Sequence, residues 1–473
     1  MQLENKNVLV VGLGRSGVAT ARFLKRKGAI VTVTDIATEE ALAAHVRTMR
    51  EMGVGMELGQ HRIETFERAE LVVLSPGVPH MIPPIERARK KGIPVIGEVE
   101  LAFRFIREPV IAITGTNGKT TTTELLGKML TRSGVNVFVG GNIGNPLISY
   151  PDMGGKAEIV VAEISSFQLD TIETFRPKVG VLLNITDDHL DRYPDFSAYV
   201  RSKGRIFENQ RKGDTAVLNG SDLHACSLAD HTAAEKLYFC HEKNARSKFQ
   251  QGAVISRDHI TINMGKTISP RREKTGNLKP GTQNRMFLDL SRFGLPGSHN
   301  MENVAAAALA ALAIGGTLEG IQSAMDSYKG LSHRLEFVAA INNVEYFNDS
   351  KATNVDSVAR ALECFTRPVI LIMGGRNKGS NFHVLKDLVR RHAKKLIVMG
   401  EARDEIKSAL NQATPTQAVS SMEDAVFSAY RSAVAGDVVL LAPACSSFDM
   451  YANYAERGES FCKAVDKLKR ENT

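Results

Sequence analysis

A buried strand that runs directly into a loop of glycine and lysine constrains the fold of this chain more than any other feature. Residues Pro109–Thr114 are almost all apolar, the loop Gly115–Lys119 reads GTNGK, and a helical pattern runs from Thr120 to about Arg132. A helix that opens on Lys-Thr after such a loop presents backbone N–H groups to a phosphate. Lys119 would neutralise the β- and γ-phosphates, and a hydroxyl would reach Mg²⁺. The segment predicts a nucleoside-triphosphate site in an α/β fold.

A second glycine-rich turn, GLGRSG at Gly12–Gly17, follows the strand-like run Asn7–Val11. It resembles the dinucleotide fingerprint G-x-G-x-x-G, whose glycines let backbone N–H groups approach a diphosphate. Asp35 follows the next predicted strand, Ala29–Thr34, where a carboxylate commonly accepts a hydrogen bond from a sugar hydroxyl. We interpret this unit as a nucleotide-diphosphate site, with a packing-only turn as the alternative. The pattern does not distinguish NAD from a UDP-sugar.

Short buried runs alternate with helical patterns along the rest of the chain, which is typical of parallel sheets with helical crossovers. The further runs are Leu71–Leu74, Ile93–Ile96, Ile159–Ala162, Val179–Leu183, Val369–Met373, Leu396–Met399 and Asp437–Ala442. Between Phe239 and Leu290 the pattern changes to short strands and a basic segment, which we interpret as a solvated loop. At about 150 residues per domain, we predict three consecutive α/β domains over residues 1–98, 99–330 and 331–473.

Composition excludes several classes of protein. Hydrophobic residues make up 43% and charged residues 24% of the chain, as in ordinary globular proteins. The five cysteines form no C-x-x-C pair, which argues against a disulfide framework or a zinc ribbon and fits a reducing cytosol. The longest apolar run, Val304–Ile314, is too short to span a membrane. We therefore expect a soluble cytoplasmic protein without a signal peptide or a membrane span.

Polar residues that follow predicted strands are candidate metal ligands. Glu163 comes directly after Ile159–Ala162, so a Mg²⁺ site and a capping or surface role are both open. His189 lies among the aspartates of NITDDHLDRY, a set that can hold a divalent ion, although a single histidine in a polar loop is commonly only hydrogen-bonded. The spacing around Lys203 indicates no more than a solvated helix lysine.

The order of motifs over residues 12–451 resembles that of the Mur ligases. The loop TGTNGKT has Ile113 where the general phosphate loop has its first glycine, and it is similar to the loop of Mur ligases and folylpolyglutamate synthetases. The turn GLGRSG with Ser75–Gly77, together with DSKATN and PACSSFD, resembles the branch that adds D-glutamate. The motifs GGNIG, EISSFQLD, NITDDHLDRY, GSHNMEN and LSHRLE stand in the same order.

The resemblance implies a Rossmann-like N-terminal domain that binds UDP, a P-loop-type central domain and a Rossmann-like C-terminal domain. It implies an ADP-forming ligase that adds D-glutamate to UDP-N-acetylmuramoyl-L-alanine through an acyl phosphate. This step belongs to peptidoglycan precursor synthesis, and so to cell-wall biogenesis, cell shape and cell division. The implied requirements are ATP, two Mg²⁺ ions and CO₂ for a carbamylated lysine, and we expect a monomer.

The resemblance also assigns residues to roles. The residues implied for the UDP-substrate are Gly14, Arg15, Ser16, Asp35, Ser75, Pro76, Gly77 and Asn142. Those implied for ATP are Gly115, Thr116, Asn117, Gly118, Lys119, Thr120, Thr121, Asn300, Asn303, Arg334, Asp349 and Lys351. Those implied for metal are Thr120, Glu163, His189 and Lys203, the last as a carbamate that replaces a cation by a carboxylate-like ligand. Those implied for D-glutamate are His189, Thr353, Lys378, Ser447, Phe448 and Tyr454. The implied catalytic residues are Lys119, His189, Lys203 and Lys351.

Three alternative functions remain at this point. A Mur ligase for L-alanine or a diamino acid would use the same ATP chemistry with another acceptor. An NAD(P)-dependent oxidoreductase would explain GLGRSG and Asp35 but leaves TGTNGKT unexplained. A basic nucleic-acid-binding protein would fit the net charge of +8, but the chain has no Trp and no basic groove pattern, so we expect no nucleic-acid partner. The sequence does not identify the base that deprotonates the attacking amine.

Overall fold

The computed structural model describes residues 1–188, 192–244, 251–265, 285–295 and 297–472. They form two compact units. Unit 1 comprises Met1–Ile185, Ser197–Arg292 and Glu302–Met325, and unit 2 comprises Thr186–Phe196, Phe293–Met301 and Asp326–Thr473. His189 and most of the basic segment before Arg285 lie outside the described residues, so the predictions made for them stay predictions.

Unit 1 begins with a parallel five-stranded sheet in the order β3-β2-β1-β4-β5. Its strands are β1 (Asn7–Val11), β2 (Ile30–Asp35), β3 (Gly55–Leu58), β4 (Leu71–Leu74) and β5 (Val95–Gly97). Its helices are α1 (Arg15–Arg26), α2 (Ala43–Glu51), α3 (Ile63–Arg68), α4 (Pro83–Lys90) and α5 (Glu98–Phe103). The chain turns in opposite directions from β1 to its neighbours β2 and β4, which opens a crevice at the carboxyl ends of these strands.

The second sheet of unit 1 has nine strands in the order β14-β13-β12-β11-β10-β9-β6-β8-β7. Its strands are β6 (Val110–Thr114), β7 (Val137–Gly141), β8 (Ile159–Glu163), β9 (Val179–Leu182), β10 (Thr215–Asn219), β11 (Glu235–His241), β12 (Gly252–Ile255), β13 (His259–Asn263) and β14 (Arg285–Asp289). Its helices are α6 (Lys119–Arg132), α7 (Ser149–Asp152), α8 (Ser166–Leu169), α9 (Phe196–Gly204), α10 (Leu223–Ala229), α11 (Ser298–Ala313) and α12 (Leu318–Asp326). The strands β12, β13 and β14 pair antiparallel, which confirms the predicted change of pattern after Phe239.

Unit 2 contains a six-stranded sheet in the order β15-β16-β20-β17-β18-β19. Its strands are β15 (Glu336–Ile341), β16 (Val344–Asn348), β17 (Val369–Gly374), β18 (Ala393–Met399), β19 (Thr416–Ala418) and β20 (Val438–Leu441). Its helices are α13 (Val355–Leu362), α14 (Lys386–His392), α15 (Arg403–Leu410), α16 (Met422–Ser432) and α17 (Tyr454–Glu471).

The third sheet is apolar on both faces because helices cover both. Along β17, Leu371 and Met373 pack into one core, whereas Ile370 and Ile372 pack into the core on the other face. All four side chains are fully buried. Continuous apolar strands of this kind are typical of parallel sheets between helical layers, and three such sheets confirm the predicted succession of α/β domains. In the described part of the chain, no helix combines the length and apolar character that crossing a bilayer requires.

Candidate active site

A cavity of about 520 Å³, here called the first-sheet cavity, opens in unit 1 at the carboxyl ends of β1, β2 and β4. All eight residues implied for the UDP-substrate line it: Gly14, Arg15, Ser16, Asp35, Ser75, Pro76, Gly77 and Asn142. Its wall is completed by residues that the sequence analysis did not single out, among them His61, Pro146 and Gln168. The structure therefore brings the two sequence-distant halves of the predicted substrate site together.

Asp35 fixes two turns of the first-sheet cavity. Its Oδ2 accepts the N–H of Leu13 at 2.6 Å, and its Oδ1 accepts the N–H of Ala37 at 2.8 Å. Each carboxylate oxygen can accept further bonds through its remaining lone pair. The contact with a sugar hydroxyl stays a prediction, and the structure adds a positioning role for this carboxylate.

Two of the three glycines of GLGRSG, Gly12 and Gly17, are required by close packing, whereas a Cβ at Gly14 would meet nothing within 4 Å. A Cβ added at Gly17 would lie 1.9 Å from the carbonyl oxygen of Gly12, which Ser75 Oγ also approaches as a donor at 2.8 Å. Gly12 itself has a φ of +93°, a conformation that L side chains rarely adopt. The packing interpretation and the phosphate interpretation of this turn are thus compatible.

The segment Gly141–Pro146, at the end of β7 in the second sheet of unit 1, supplies one wall of the cavity. Arg15 Nη2 donates to the carbonyl oxygen of Gly144 at 2.9 Å. Asn142 Nδ2 donates to Glu163 Oε1 at 2.9 Å, and the Asn142 N–H donates to the carbonyl oxygen of Glu163 at 2.8 Å. Glu163, the last residue of β8, is thereby bonded to the cavity wall through both its backbone and its side chain.

The loop Gly115–Lys119, here called the phosphate loop, has a backbone that hydrogen bonds hold in one conformation. Lys119 Nζ donates to the carbonyl oxygens of Gly115 and Thr116, both at 2.8 Å. Gly118 has a φ of +86°, and an added Cβ there would lie 2.2 Å from Asn303 Oδ1. The Asn117 N–H donates to Asn184 Oδ1 at 2.8 Å. These contacts fix the backbone of the loop at the start of helix α6, where phosphates bind in α/β folds.

Glu163 Oε2 and Thr121 Oγ1 are among the buried oxygens near the phosphate loop that have no hydrogen-bond partner in the part of the chain that the structure describes. Both residues are at most 2% exposed. No group of three or more His, Cys, Asp or Glu within the described residues could hold a metal ion alone. Mg²⁺ commonly takes one or two carboxylates and completes its shell with substrate phosphates and water, so these oxygens fit a magnesium ion bound together with a nucleotide.

Lys203 is buried, and the interpretation of it as a solvated helix lysine is wrong. Its side chain is 1% exposed, and its Nζ donates to the carbonyl oxygen of Gly115 at 2.8 Å. It lies 4.6 Å from the ring centroid of Tyr199, whose hydroxyl is 3.2 Å from Thr116 Oγ1. Lys119 donates to the same carbonyl oxygen of Gly115, so the two lysines meet at one point of the phosphate loop.

Within unit 2, the strands β16, β17 and β20 run parallel, so the loops that follow them lie at one edge of the sheet. These loops carry predicted residues of the ATP and D-glutamate sites. Lys378 Nζ lies 3.3 Å from Asp188 Oδ1, and Asn354 Nδ2 donates to Asp188 Oδ2 at 3.0 Å. Lys351 Nζ lies 5.1 Å from the ring centroid of Tyr454.

The predicted D-glutamate residues differ in exposure. Ser447 is 2% exposed, whereas Phe448 is 64% and Tyr454 37% exposed. The N–H of Thr353 donates to the carbonyl oxygen of Lys351 at 2.9 Å, which ties these two predicted residues into one turn. Exposed aromatic side chains next to buried polar ones are available to a ligand.

Asp349 is a buried carboxylate in the same loop cluster. Burial raises its pKa to about 6, although the nearby Arg334 guanidinium and the Leu335 N–H, which donates at 3.2 Å, both oppose this shift. Burial and the nearby Arg334 and Arg360 cations lower the pKa of His299 to about 4. Of the two asparagines implied for ATP, the buried Asn303 belongs to unit 1 and the buried Asn300 to unit 2.

Sequence reasoning missed Arg457, which is 2% exposed in α17. Its guanidinium donates to the carbonyl oxygens of Ser350 at 2.8 Å, Cys445 at 3.1 Å and Gly374 at 3.3 Å, so it joins the three strand-end loops of unit 2. Burial lowers its pKa to about 10. Nothing in its helical neighbourhood signals this, because an arginine among acidic residues in a helix is usually solvated.

Three family models match this chain in the order of its sheets. The model described as Mur ligase MurD-like, N-terminal domain matches residues 6–97, Mur ligase middle domain matches residues 113–311, and Mur ligase, glutamate ligase domain matches residues 333–445. The chain belongs to the Mur ligase family.

Within that family, the similar curated proteins carry one name. A UDP-N-acetylmuramoylalanine--D-glutamate ligase of Desulfosudis oleivorans is 52% identical over 469 residues, which cover 99% of this chain and 98% of that protein. The ligase of the same name from Desulfatibacillum aliphaticivorans is 50% identical over 468 residues, which cover 99% of this chain and all of that protein. The ligase of that name from Geotalea daltonii is 45% identical, over 99% of both chains.

Solved structures share the fold. The pseudomurein peptide ligase type C of Methanothermus fervidus superposes with a TM-score of 0.62 at 20% identity, over 98% of this chain and all of that one. The MurF ligase of Thermotoga maritima, solved in complex with ADP, gives a TM-score of 0.60 at 16% identity, over 99% of this chain and 96% of that one. At these identities the likeness establishes the three-domain α/β architecture alone.

Proposed function

We propose that this chain is an ATP-dependent ligase that joins D-glutamate to UDP-N-acetylmuramoyl-L-alanine in peptidoglycan precursor synthesis. The names of full-length relatives at 45–52% identity support the reaction and its two substrates. The structural observation that carries the proposal is the pairing, in unit 1, of the first-sheet cavity with the phosphate loop. The contact between Asn142 and Glu163 at 2.9 Å connects the two sites.

The chemistry requires activation because a carboxylate is a poor electrophile. ATP would phosphorylate the L-alanine carboxylate of the UDP-sugar to an acyl phosphate, with release of ADP. The neutral amine of D-glutamate would then attack the acyl carbon, and inorganic phosphate would leave. Lys119 would exchange its two loop carbonyls for phosphate oxygens and neutralise the transferring phosphoryl group. Lys351 would help to neutralise the negative charge that develops in the same reaction.

We propose that Thr120, Glu163, His189 and a carbamylated Lys203 hold two Mg²⁺ ions. Glu163 Oε2, which meets no hydrogen-bond partner among the residues that the structure describes, supports this assignment, as does the position of Lys203 beside Gly115. When bound, the ions would neutralise negative charge on the phosphates. Glu163 has a second task that needs no metal, because its Oε1 orients the Asn142 amide at the wall of the cavity.

In unit 2, we propose that Lys378 receives a carboxylate of D-glutamate, with Thr353, Ser447, Phe448 and Tyr454 around it. The carboxylate of Asp188 now occupies this position at 3.3 Å, so the ammonium is already oriented for an anionic partner. The nucleotide would be bound in part by Arg334, Asp349 and Asn300. We propose domain limits of 1–98, 99–330 and 331–473, a monomeric state, and a cytoplasmic location because the reaction consumes ATP.

Phosphate release by the purified chain tests this proposal. The assay contains Mg²⁺-ATP, bicarbonate and UDP-N-acetylmuramoyl-L-alanine, with D-glutamate, L-glutamate, L-alanine or diaminopimelate added singly. We expect release that depends on D-glutamate alone. Dependence on another amino acid would keep the family chemistry and overturn the acceptor, and no release from a folded sample would overturn the ligase proposal.

A further inference from the structure

Helix α5 carries two fully buried glutamates in very different surroundings. Glu100 Oε2 accepts the backbone N–H groups of Glu173, Thr174 and Phe175, each at 2.9 Å, and its Oε1 accepts from Arg104 Nε at 2.9 Å. Glu98 is 1% exposed, and its Oε1 accepts the Ile148 N–H at 2.7 Å. Its Oε2 is buried without a hydrogen-bond partner among the described residues. The proposed reaction gives Glu98 no role.

The amides that face Glu98 lie just beyond the wall of the first-sheet cavity. Ile148 and Leu147, both fully buried, directly follow the segment Gly141–Pro146, which lines the cavity. That segment is held at two other points, by Arg15 at Gly144 and by Glu163 at Asn142. Glu98 lies on helix α5, which follows the first sheet, and it holds the chain just after the segment, at Ile148. The hydrogen bond between Glu98 and Ile148 therefore connects the two parts of unit 1 that form the cavity, which are the first sheet with α5 and the loop after β7.

We propose that Glu98 is a positioning residue for the first-sheet cavity: its carboxylate accepts the N–H of Ile148 and so fixes the Gly141–Pro146 segment against the bound UDP-substrate. The inference rests on the proposed function of the cavity. Glu98 itself does not line the cavity and acts through the segment.

The charge state of Glu98 makes this role measurable. Burial raises its pKa to about 7, although the amides of Ile148 and Leu147 oppose the shift. A carboxylate anion accepts amide hydrogen bonds more strongly than a neutral carboxyl group. The segment is therefore held more firmly above this pKa than below it, and substrate affinity should rise with pH across neutrality.

Other titratable groups near α5 can be separated from Glu98. Helix α5 and the residue after it carry Glu100 and Arg104, and helix α7, which packs against α5, carries Tyr150 and Asp152. The loop whose amides bind Glu100 carries Glu173. The packed strands β4 and β5 carry none. The bonds to Glu100 lower its pKa, and desolvation raises that of Tyr150. His61 lines the cavity, and burial lowers its pKa.

The experiment is calorimetric titration of UDP-N-acetylmuramoyl-L-alanine into the full chain without ATP, at pH values on either side of 7. Three proteins are compared: wild type, Glu98→Gln and Glu100→Gln. We expect wild type to bind roughly fivefold more tightly above the pKa than below it, the equivalent of about 1 kcal/mol. Glu98→Gln should keep the weaker affinity at every pH. Glu100→Gln, the matched buried control, should keep the pH dependence.

The outcomes separate the two proposals. If folded wild type does not bind the UDP-substrate at any pH, the proposed function of the cavity fails. If wild type binds but Glu98→Gln shows the same change of affinity with pH, the role of Glu98 is overturned and the dependence belongs to another group near the cavity, such as His61 or His80. Infrared difference spectroscopy of wild type covers the case in which Glu98→Gln does not fold. A protonated carboxyl band near neutral pH should change when substrate binds, and an unchanged band would also overturn the proposal.

Discussion

At the scale of single residues, the proposed role of Lys119 at the phosphates is open to a direct test. Its ammonium group donates hydrogen bonds to two carbonyl oxygens of its own loop. From this position it can donate the same hydrogen bonds to phosphate oxygens instead. We expect Lys119→Met to lower the rate of D-glutamate-dependent phosphate release by roughly 10²–10³-fold, the effect of removing one charged donor from a transition state.

The matched control is Lys128→Met, an exposed position on the same helix. It removes the same charge from α6 and should leave the rate unchanged. Equal losses in both variants would indicate a general effect on the helix and would count against a role of Lys119 at the phosphates.

Glu163 should govern the requirement for magnesium. Its Oε2 is buried without a partner among the described residues, whereas its Oε1 holds Asn142. Glu163→Gln keeps the shape and removes the negative charge, so we expect the Mg²⁺ concentration for half-maximal phosphate release to rise at least about tenfold. Glu158→Gln, exposed at the opposite end of β8, should show the wild-type dependence. An unchanged Mg²⁺ requirement in Glu163→Gln would remove it from the metal site.

Residue spacing located the phosphate loop but could not locate Lys203. The loop is recognisable because its glycines, lysine and threonines are adjacent in sequence. Lys203 is buried by Tyr199 and by the carbonyl of Gly115, which lies 88 positions earlier in the chain. Its burial is a property of tertiary packing, as is that of Arg457, and helical periodicity does not report such contacts. The resemblance to a family, and not the local pattern, pointed to Lys203.

At the scale of elements, sequence reasoning succeeded where a strand is a continuous apolar run. The predictions for β1 and β4 match the structure residue for residue, and those for β8 and β9 are within one residue. The strand β19, Thr416–Ala418, was missed because it is a partly exposed edge strand of polar composition. Only strands buried on both faces must be apolar throughout.

The central strand β17 should carry much of the stability of unit 2. Leu371 is fully buried within the core on one face of the sheet. We expect Leu371→Ala to lower the free energy of unfolding of unit 2 by roughly 2–5 kcal/mol, because the truncation removes buried apolar contacts and leaves a cavity. Urea unfolding followed by circular dichroism measures this change.

The control for β17 is Val384→Ala, whose side chain is 61% exposed in the same unit. It should change the free energy of unfolding by less than about 0.5 kcal/mol. A comparable effect of both substitutions would show that burial in the third sheet does not determine the stability of unit 2.

At the scale of the whole molecule, many of the predicted functional residues share one position in their sheets. They lie at or just beyond the carboxyl ends of parallel strands, as do Asp35 on β2, Glu163 on β8 and Asp349 after β16, whereas Lys203, Asn300 and Asn303 lie on helices. Parallel strands place these ends at one edge, where ligands bind in α/β folds. The sequence could predict this edge for each sheet because the strands were recognisable. It could not predict the partners of the edge residues, such as Asp188 beside Lys378.

The pH dependence of stability should contain two opposing contributions from unit 2. Burial raises the pKa of Asp349 from 3.8 to about 6, so the folded chain binds more protons than the unfolded chain in this range. The contribution of Asp349 to the free energy of unfolding is therefore lost as the pH rises through 6. Burial lowers the pKa of His299 from 6.5 to about 4, so the unfolded chain binds more protons there. The contribution of His299 is lost as the pH falls from 6.5 towards 4.

These signs predict opposite trends for two variants in the same unit. Relative to wild type, Asp349→Asn should gain stability as the pH rises from about 4 to about 6, because it lacks the carboxyl group that must ionise while buried. Relative to wild type, His299→Asn should lose stability over the same pH range. The free energy of unfolding of wild type rises there, because His299 becomes neutral in the unfolded chain as well as in the folded chain. Urea midpoints for unit 2 at several pH values measure both differences. Parallel trends in the two variants would contradict the assignment of these buried groups, since only opposite pKa shifts give slopes of opposite sign.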